Sequence, residues 1–289
     1  PGTQTSLQAA ARGLGMEQTE HASHIHVQLV VPAEVPALRL LCISDTHDLQ
    51  QGMPHGLPAA DILVHAGDST CQGRREELES FTAWLHALID GGTVRHAIVV
   101  AGNHEMSLAL RAKKPAVLAA QQRLKDDFAT SHAAIHYLED KGTEVAGLRF
   151  YGSPWTSCTG ESTWAFQLPE SQLAERFSAI PAGVDVLVTH SPPLGLCDNG
   201  DVDADGRQRR WGSASLRQRA EEVRPVLHVF GHIHTGHGVV RTKGCRTVFV
   251  NAAVCDEDYK PNQKPVLVEL LHSAPVTVDA TTSKADSPS

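Results

Sequence analysis

Two aspartates, one asparagine and five histidines stand in five short blocks spread over most of the chain. The blocks are Asp45-Thr46-His47, Gly67-Asp68, Gly102-Asn103-His104, His190 and Gly231-His232-Ile233-His234. Side chains of these types hold metal ions. Asp45 and His47, at i and i+2, can both turn toward one ion where a strand runs into a loop. Asp68 has two carboxylate oxygens and can bridge two cations. Asn103 offers a neutral carbonyl oxygen, and His190, His232 and His234 offer imidazole nitrogens. Such mixed ligation suits Mn, Fe, Zn, Co or Ni better than Ca. The long spacings exclude a zinc finger, whose ligands cluster closely. Any one of these histidines alone would more often be a packed or surface residue; five blocks sharing one local setting are not explained that way. Two divalent cations sharing a water bring its pKa near neutral, and the resulting hydroxide can attack phosphorus in line with the leaving oxygen. Hydrolysis of a phosphate ester is therefore the expected chemistry. No nucleophilic side chain is signposted: the chain has no G-x-S-x-G, no Walker loop and no G-x-G-x-x-G.

These blocks need a sheet to position them. Each comes just after a run of β-type apolar residues, at 38–43, 62–65, 97–100, 184–189 and 226–230. Strand ends facing one edge of a sheet are where an α/β protein gathers a site. Apolar spacing predicts helices at 74–90, closed by Gly91-Gly92, and at 115–128, with shorter ones at 168–177 and 215–223. Further strands are expected at 135–138, 143–145, 148–151, 238–240, 247–251 and 266–271. A βαβα order followed by a strand-rich half implies two stacked sheets with helices on their outer faces. Residues 1–36 read as a peripheral N-terminal segment, with a short helix at 4–15 and an edge strand at 25–31 stopped by Pro32. Residues 37–272 read as the domain, and 273–289, rich in Ser, Thr, Ala and Asp, as a disordered tail.

In this order, D-x-H, G-D, G-N-H-E, T-H and G-H-x-H resemble the motifs of the calcineurin-like metallophosphoesterase superfamily. Four longer stretches are similar to the animal metallophosphoesterase-domain-containing proteins and their microbial relatives. They are Leu63-Val64-His65-Ala66-Gly67-Asp68, Tyr151-Gly152-Ser153-Pro154-Trp155-Thr156, Pro192-Pro193-Leu194-Gly195, and Arg224-Pro225-Val226-Leu227-His228-Val229-Phe230-Gly231. The resemblance implies an α/β fold, a four-layer α/β/β/α sandwich of two mixed sheets, with a dinuclear metal centre. Asp45, His47 and His234 would hold one divalent ion, Asn103, His190 and His232 the other, and Asp68 would bridge them. His104 is not a ligand in the family; the resemblance places it near the leaving group, as a general acid. His104 and Asp68 are thus the residues expected to carry catalysis. Some animal members have Gly where this chain has His232, so the complete G-H-x-H implies two metals and real turnover here. Ser191 stands where relatives usually have Gly.

Composition narrows the partners. A chain of 289 residues, 41% of them hydrophobic, is enough for one large domain or two small ones. No apolar run approaches the roughly 18–20 residues of a membrane span, and the start lacks the charged-then-apolar order of a signal peptide. A net charge of −8 argues against long nucleic acid, whose binders are usually basic. Small phosphorylated substrates stay open, because bound metals reverse the local charge. Six scattered cysteines without a C-x-x-C pair, and no N-glycosylation sequon, favour a cytoplasmic setting.

Substrate contacts are expected from Asn103 and His104 and from two further places. Residues 198–212 run from acidic to basic, and Arg209 and Arg210 could grip a phosphate there, against the plainer reading of a solvated loop. Trp155 and Trp164 could stack a base, against half-buried packing. His65 and His237 could orient ligands, Glu105 could bond nearby backbone, and His21, His24 and His26 read as the polar face of an edge strand. The leading expectation is a phosphodiesterase acting on small esters, cyclic nucleotides included, with manganese among the candidate metals. The alternatives are a phosphomonoesterase or nuclease of the same superfamily, a non-catalytic scaffold, and an enzyme with repurposed metal chemistry.

Overall fold

The computed structural model describes residues 16–54, 56–110, 114–158, 163–203 and 205–272. The helix expected at 4–15 and the tail at 273–289 lie outside the described residues. One sheet comprises Met16–Glu20 (β1), Ile25–Val31 (β2), Arg39–Ile43 (β3), Ile62–Ala66 (β4), His96–Val100 (β5), Ile135–Leu138 (β6) and Val266–His272 (β17), in spatial order β1-β2-β17-β3-β4-β5-β6. Strands β3 to β6 are parallel, and β17 runs antiparallel to β3. The second sheet comprises Lys141–Val145 (β7), Leu148–Ser153 (β8), Val186–Thr189 (β11), Leu227–Phe230 (β14), Gly238–Val240 (β15) and Val248–Asn251 (β16), in order β15-β16-β14-β11-β8-β7. Its four inner strands are parallel, and β7 and β15 close the edges antiparallel. Two small pairs complete the strands: Thr156–Ser157 (β9) with Gln167–Leu168 (β10), and Asn199–Val202 (β12) with Gln208–Arg210 (β13).

Alternation along each strand assigns its faces. Leu40 and Cys42 of β3, Ile62 and Val64 of β4, and Ile98 and Val100 of β5 point toward the second sheet. They pack there against Phe150, Val186, Val188, Leu227, Val229, Val248 and Val250. The intervening residues Leu41, Ile43, Leu63, Ala97 and Val99 face outward, onto helices Arg75–Asp90 (α1) and Pro115–Ala129 (α2), through Leu78, Phe81, Leu85 and Phe128. On the far side, Tyr151, Leu187, Phe230 and Phe249 meet Glu170–Ser178 (α3) and Ala214–Val223 (α4) through Leu173, Phe177, Leu216 and Ala220. The layers are therefore α/β/β/α, as expected. Each of the three cores holds a fully buried phenylalanine, such as Phe81, Phe150 and Phe177, and burying such a ring contributes about 1.5–3 kcal/mol. Gly152 lets the sheets close, because a Cβ there would overlap Leu138 and Val100 of the other sheet.

The stretch before residue 37 differs from expectation where it is described. Strand β2 is interior, paired with β17 on one side and β1 on the other. Val27, Leu29 and Val31 enter the core between the sheets, while His26 and Gln28 lie on the opposite face and both reach Glu269 of β17. Residues 16–31 thus belong to the first sheet, and β1 takes its edge.

The parallel strands β3, β4 and β5 of one sheet, and β11, β14 and β16 of the other, end toward a common rim. All five residue blocks, and a sixth loop after β16, leave from those ends.

Candidate functional site

The rim is held in costly backbone conformations. Asp45 (φ 54°), His47 (43°), Asp48 (63°), Asp68 (52°) and His232 (67°) all lie in the left-handed region. Such a conformation costs a non-glycine residue about 1–2 kcal/mol, and strain of this kind gathers where function needs it. The loops after β3 and β4 are zipped by backbone bonds from Asp45, His47 and Asp48 N–H groups to Gly67, Asp68 and Ser69 carbonyls. Space is reserved as well. A Cβ on Gly102 would overlap Asp68 and His190, and one on Gly231 would overlap Asp45 and Ser44.

The structure brings the expected ligands together in overlapping sets. Asp45, His47 and His234 form one, and Asp68, His190 and His232 another, with the ligand atoms of each set within 4.8 Å of one another. A third set, His47, Asp68 and His104, joins them. Asn103 Oδ1 lies 3.1 Å from His190 Nε2, and Asp68 Oδ2 lies 3.1 Å from the same nitrogen. On the other side, His234 Nε2 is 3.3 Å from His47 Nε2 and 3.4 Å from Asp45 Oδ1.

The ring nitrogens are aimed by backbone carbonyls. His190 Nδ1 donates to Ala66 O (2.9 Å), His234 Nδ1 to Asp256 O (2.8 Å) and His104 Nδ1 to Cys71 O (2.6 Å). A carbonyl only accepts, so Nδ1 carries a proton and Nε2 of each ring turns to the centre. Below them, buried Thr46 bonds His65 Nε2 (3.0 Å), and buried Thr189 bonds His228 Nε2 (2.8 Å). Each threonine neighbours a ligand in sequence. The Nδ1 of His237, by contrast, is enclosed without a hydrogen-bond partner.

Glu105 clamps two loops. Its buried carboxylate accepts from Asp68 N (3.1 Å), Ser69 Oγ (3.1 Å), Thr70 N (3.0 Å), Thr70 Oγ1 (2.9 Å) and Gly102 N (2.6 Å). Burial and the Asp68 charge push its pKa up, and these bonds pull it back. Asp45 receives the His232 N–H on both oxygens at 3.0 Å. Ser191 is buried, and its hydroxyl goes to Pro192 O at 3.3 Å.

Electrostatics fit a cation. Burial would raise the Asp45 and Asp68 pKa values, but neighbouring histidines hold both well below the usual carboxylate range. Burial pushes His47 down to about 4 and His232 to about 3, so both are neutral at pH 7 and able to offer a lone pair. Burial also works against protonated His190, but the Asp68 carboxylate overrides it and holds that ring up to about 9. Two carboxylates, an amide oxygen and several imidazole lone pairs converge with few donors among them. His47 Nδ1 is buried without a partner. This donor set fits two divalent transition metals.

Substrate contacts expected from sequence fare less evenly. His104 lies beside the cluster, with Nε2 3.9 Å from Asp68 Oδ2. Trp155 is occupied elsewhere: its N–H donates to Asp140 (2.7 Å), Arg176 lies over its ring at 4.5 Å, and Phe166 packs edge-on. The packing alternative is the one those contacts support. Trp164 instead lies 4.4 Å from the His104 ring. Arg210 pairs with buried Asp198 at 2.9 Å and also bonds Asn199, so its charge holds the β12–β13 hairpin. Arg209 is exposed on that hairpin. Sequence reasoning missed Tyr259, whose ring stands 4.8 Å from His47 and 5.0 Å from His234. A signal existed: β16 was expected, and a parallel strand in that sheet must open its exit loop on the same rim.

Residues 38–236 match the family model described as calcineurin-like phosphoesterase. The human metallophosphoesterase domain-containing protein 1 is 36% identical over 85% of this chain and 76% of its own length. The chain belongs to the calcineurin-like phosphoesterase family. A Caenorhabditis elegans relative, UPF0046 protein C25E10.12, is also 36% identical, over 84% of this chain and 85% of its own. Among solved structures, a phosphopantetheinyl hydrolase from Mycobacterium tuberculosis aligns over 83% of this chain and 98% of its own, at 17% identity and a TM-score of 0.49. As a calcineurin-like phosphoesterase, the chain is a metal-dependent phosphoric ester hydrolase of a family that uses two divalent ions, and its Asp and His sets are able to bind them. Among the described residues, no helix is long and apolar enough to cross a membrane.

Proposed function

We propose that this protein is a phosphodiesterase acting on small phosphate diesters, cyclic nucleotides among the candidates. Asp45, His47 and His234 would hold one metal, Asn103, His190 and His232 the other, and Asp68 both. The observation that carries the reading is that the Asp45–His47–His234 and Asp68–His190–His232 sets are joined by a third, His47–Asp68–His104, which takes in His104. When bound, two divalent ions supply a water-derived nucleophile at neutral pH and offset charge on the phosphate oxygens.

The rest falls to the chain's own groups. Cys71 O fixes the His104 ring so that Nε2 faces the centre, and a proton on that atom can pass to the departing oxygen. The backbone N–H of His104 donates to Asp68 Oδ1 at 2.9 Å, which locks that carboxylate's rotation. All six cysteines are free thiols, which supports a cytoplasmic site of action.

The test is hydrolysis of bis(p-nitrophenyl) phosphate and p-nitrophenyl phosphate by metal-stripped protein reloaded with Mn²⁺, with an elemental metal count. Faster turnover of the diester at two metals per chain is expected. Preference for the monoester would overturn the diesterase assignment, and no turnover at full occupancy would overturn the phosphoester reading of the site.

A further inference from the structure

Tyr259 has no part in the machinery described so far, yet it stands at its centre. Its ring lies 4.8 Å from His47, 5.0 Å from His234 and 6.4 Å from His104, and it is about half exposed (51%). A φ of 57° places it in the left-handed region, unfavourable for a residue of this bulk. The surrounding loop is built to hold it there. The Asp256 carboxylate accepts from the N–H groups of Asp258 (3.0 Å) and Lys260 (2.9 Å) and from Asn262 Nδ2 (2.8 Å). The Gln263 amide nitrogen lies within 2.6–3.1 Å of the carbonyls of His234, Ala253 and Cys255. The same loop aims a ligand, since Asp256 O accepts from His234 Nδ1.

A second half-exposed aromatic ring borders His104. Trp164 is 40% exposed, and its ring is 4.4 Å from the imidazole, tilted by 37°. Two large aromatic rings, each partly open to solvent, thus border the histidine assigned to the leaving group. A hydroxyl or a small alkyl leaving group needs no such walls. A planar one gains from them, because aromatic rings prefer offset-stacked or edge-to-face neighbours and every such group has a face to offer.

We propose that Tyr259 and Trp164 form a leaving-group subsite that takes a planar aromatic group, making them specificity-determining residues for aryl or heteroaryl phosphodiesters. The inference rests on the phosphodiesterase reading above. The alternative for both rings is mechanical: Trp164 as a prop for His104, and Tyr259 as a prop for His47 and His234.

The experiment compares two methyl phosphodiesters matched in leaving-group acidity, one with an aryl and one with a fluoroalkyl leaving group. Wild type, Tyr259→Phe, Tyr259→Leu, Trp164→Phe and Trp164→Leu are each used at equal metal content per chain. Wild type should prefer the aryl ester. Each leucine variant should lower the aryl-to-fluoroalkyl ratio of kcat/KM about tenfold, mostly through KM, and each phenylalanine variant should keep most of it. Titration with phenylphosphonate and methylphosphonate gives a readout free of turnover, in which wild type should bind the phenyl compound about tenfold tighter and the leucine variants should lose that preference. Equal loss on both esters with an unchanged ratio would mean props and would overturn the subsite. Turnover without aryl preference in wild type overturns the subsite alone. No turnover of either ester by the loaded wild type overturns the subsite together with the reading it rests on.

Discussion

Glu105 shows how much rests on single side chains at the rim. Five donors from the loops after β4 and β5 converge on its buried carboxylate. Glu105→Ala leaves the N–H groups of Asp68, Thr70 and Gly102 unpaired in the interior. It should cost about 3 kcal/mol or more, read as a lowered urea midpoint, and metal content should fall with it. His104→Ala makes the opposite prediction. His104 is outside the two expected ligand sets, so the variant should keep both metals. It should lose about 10²–10⁴-fold in rate on esters with poor leaving groups, and much less on p-nitrophenyl esters. Metal loss in that variant would contradict the role. The glycines of the motifs have a residue-scale reason too: those at 102 and 231 leave room for ligand side chains, which their bare spacing in the sequence does not reveal.

At the scale of elements, strands and helices were legible wherever the period ran long enough. Helix α1 starts one residue after its expected beginning, and β6 matches its expected bounds. Pairs such as β9–β10 and β12–β13 escaped, because strands of two to four residues carry no readable alternation. The helix ends also tie elements together. Ser213 caps α4 by accepting the Leu216 N–H (3.1 Å), and its hydroxyl donates to Glu170 at the start of α3 (2.9 Å). Its backbone N–H goes to Pro192 O, just after His190. Ser213→Ala should therefore cost about 1–2 kcal/mol, measured by urea unfolding of the metal-free protein. Metal content should not change, since the loop keeps its backbone bond.

The whole molecule carries a pH signature. Burial holds His47 and His237 down to about 4, and His65, His228 and His232 down to about 3. In the unfolded chain a histidine titrates near ~6.5. Below that pH the unfolded chain takes up protons that the fold refuses, so the metal-free protein should lose stability as pH falls toward 4 and then 3. His190 acts in the other direction. Its folded pKa is raised to about 9, so its contribution is full below the unfolded value and is lost as pH rises toward 9. Asp45 and Asp68 are depressed, so they contribute above the ordinary carboxylate range and lose this only in stronger acid. Urea midpoints of metal-free protein at about pH 5, 7 and 9 should peak in the middle; a flat profile would show that these groups do not titrate as placed. Metal affinity should rise with pH up to about 9, because an ion must displace the His190 proton.

Candidate metal ligands could be picked out from the chain alone because the chemistry lies in residue types. Asp, Asn and His after apolar runs name a metal site on any scaffold that aligns the strand ends. The two sheets and their order of layers were legible for a related reason, since alternation and helical period report which face must be buried. What only the tertiary structure decided depends on distance between residues far apart in sequence. It placed Asp256 O behind His234, Cys71 O behind His104, and Arg210 on Asp198. It drew Trp155 to Asp140 and brought Tyr259 over the imidazoles. None of these has a local pattern, because a side chain's partner is set by how two sheets pack and where their loops then meet.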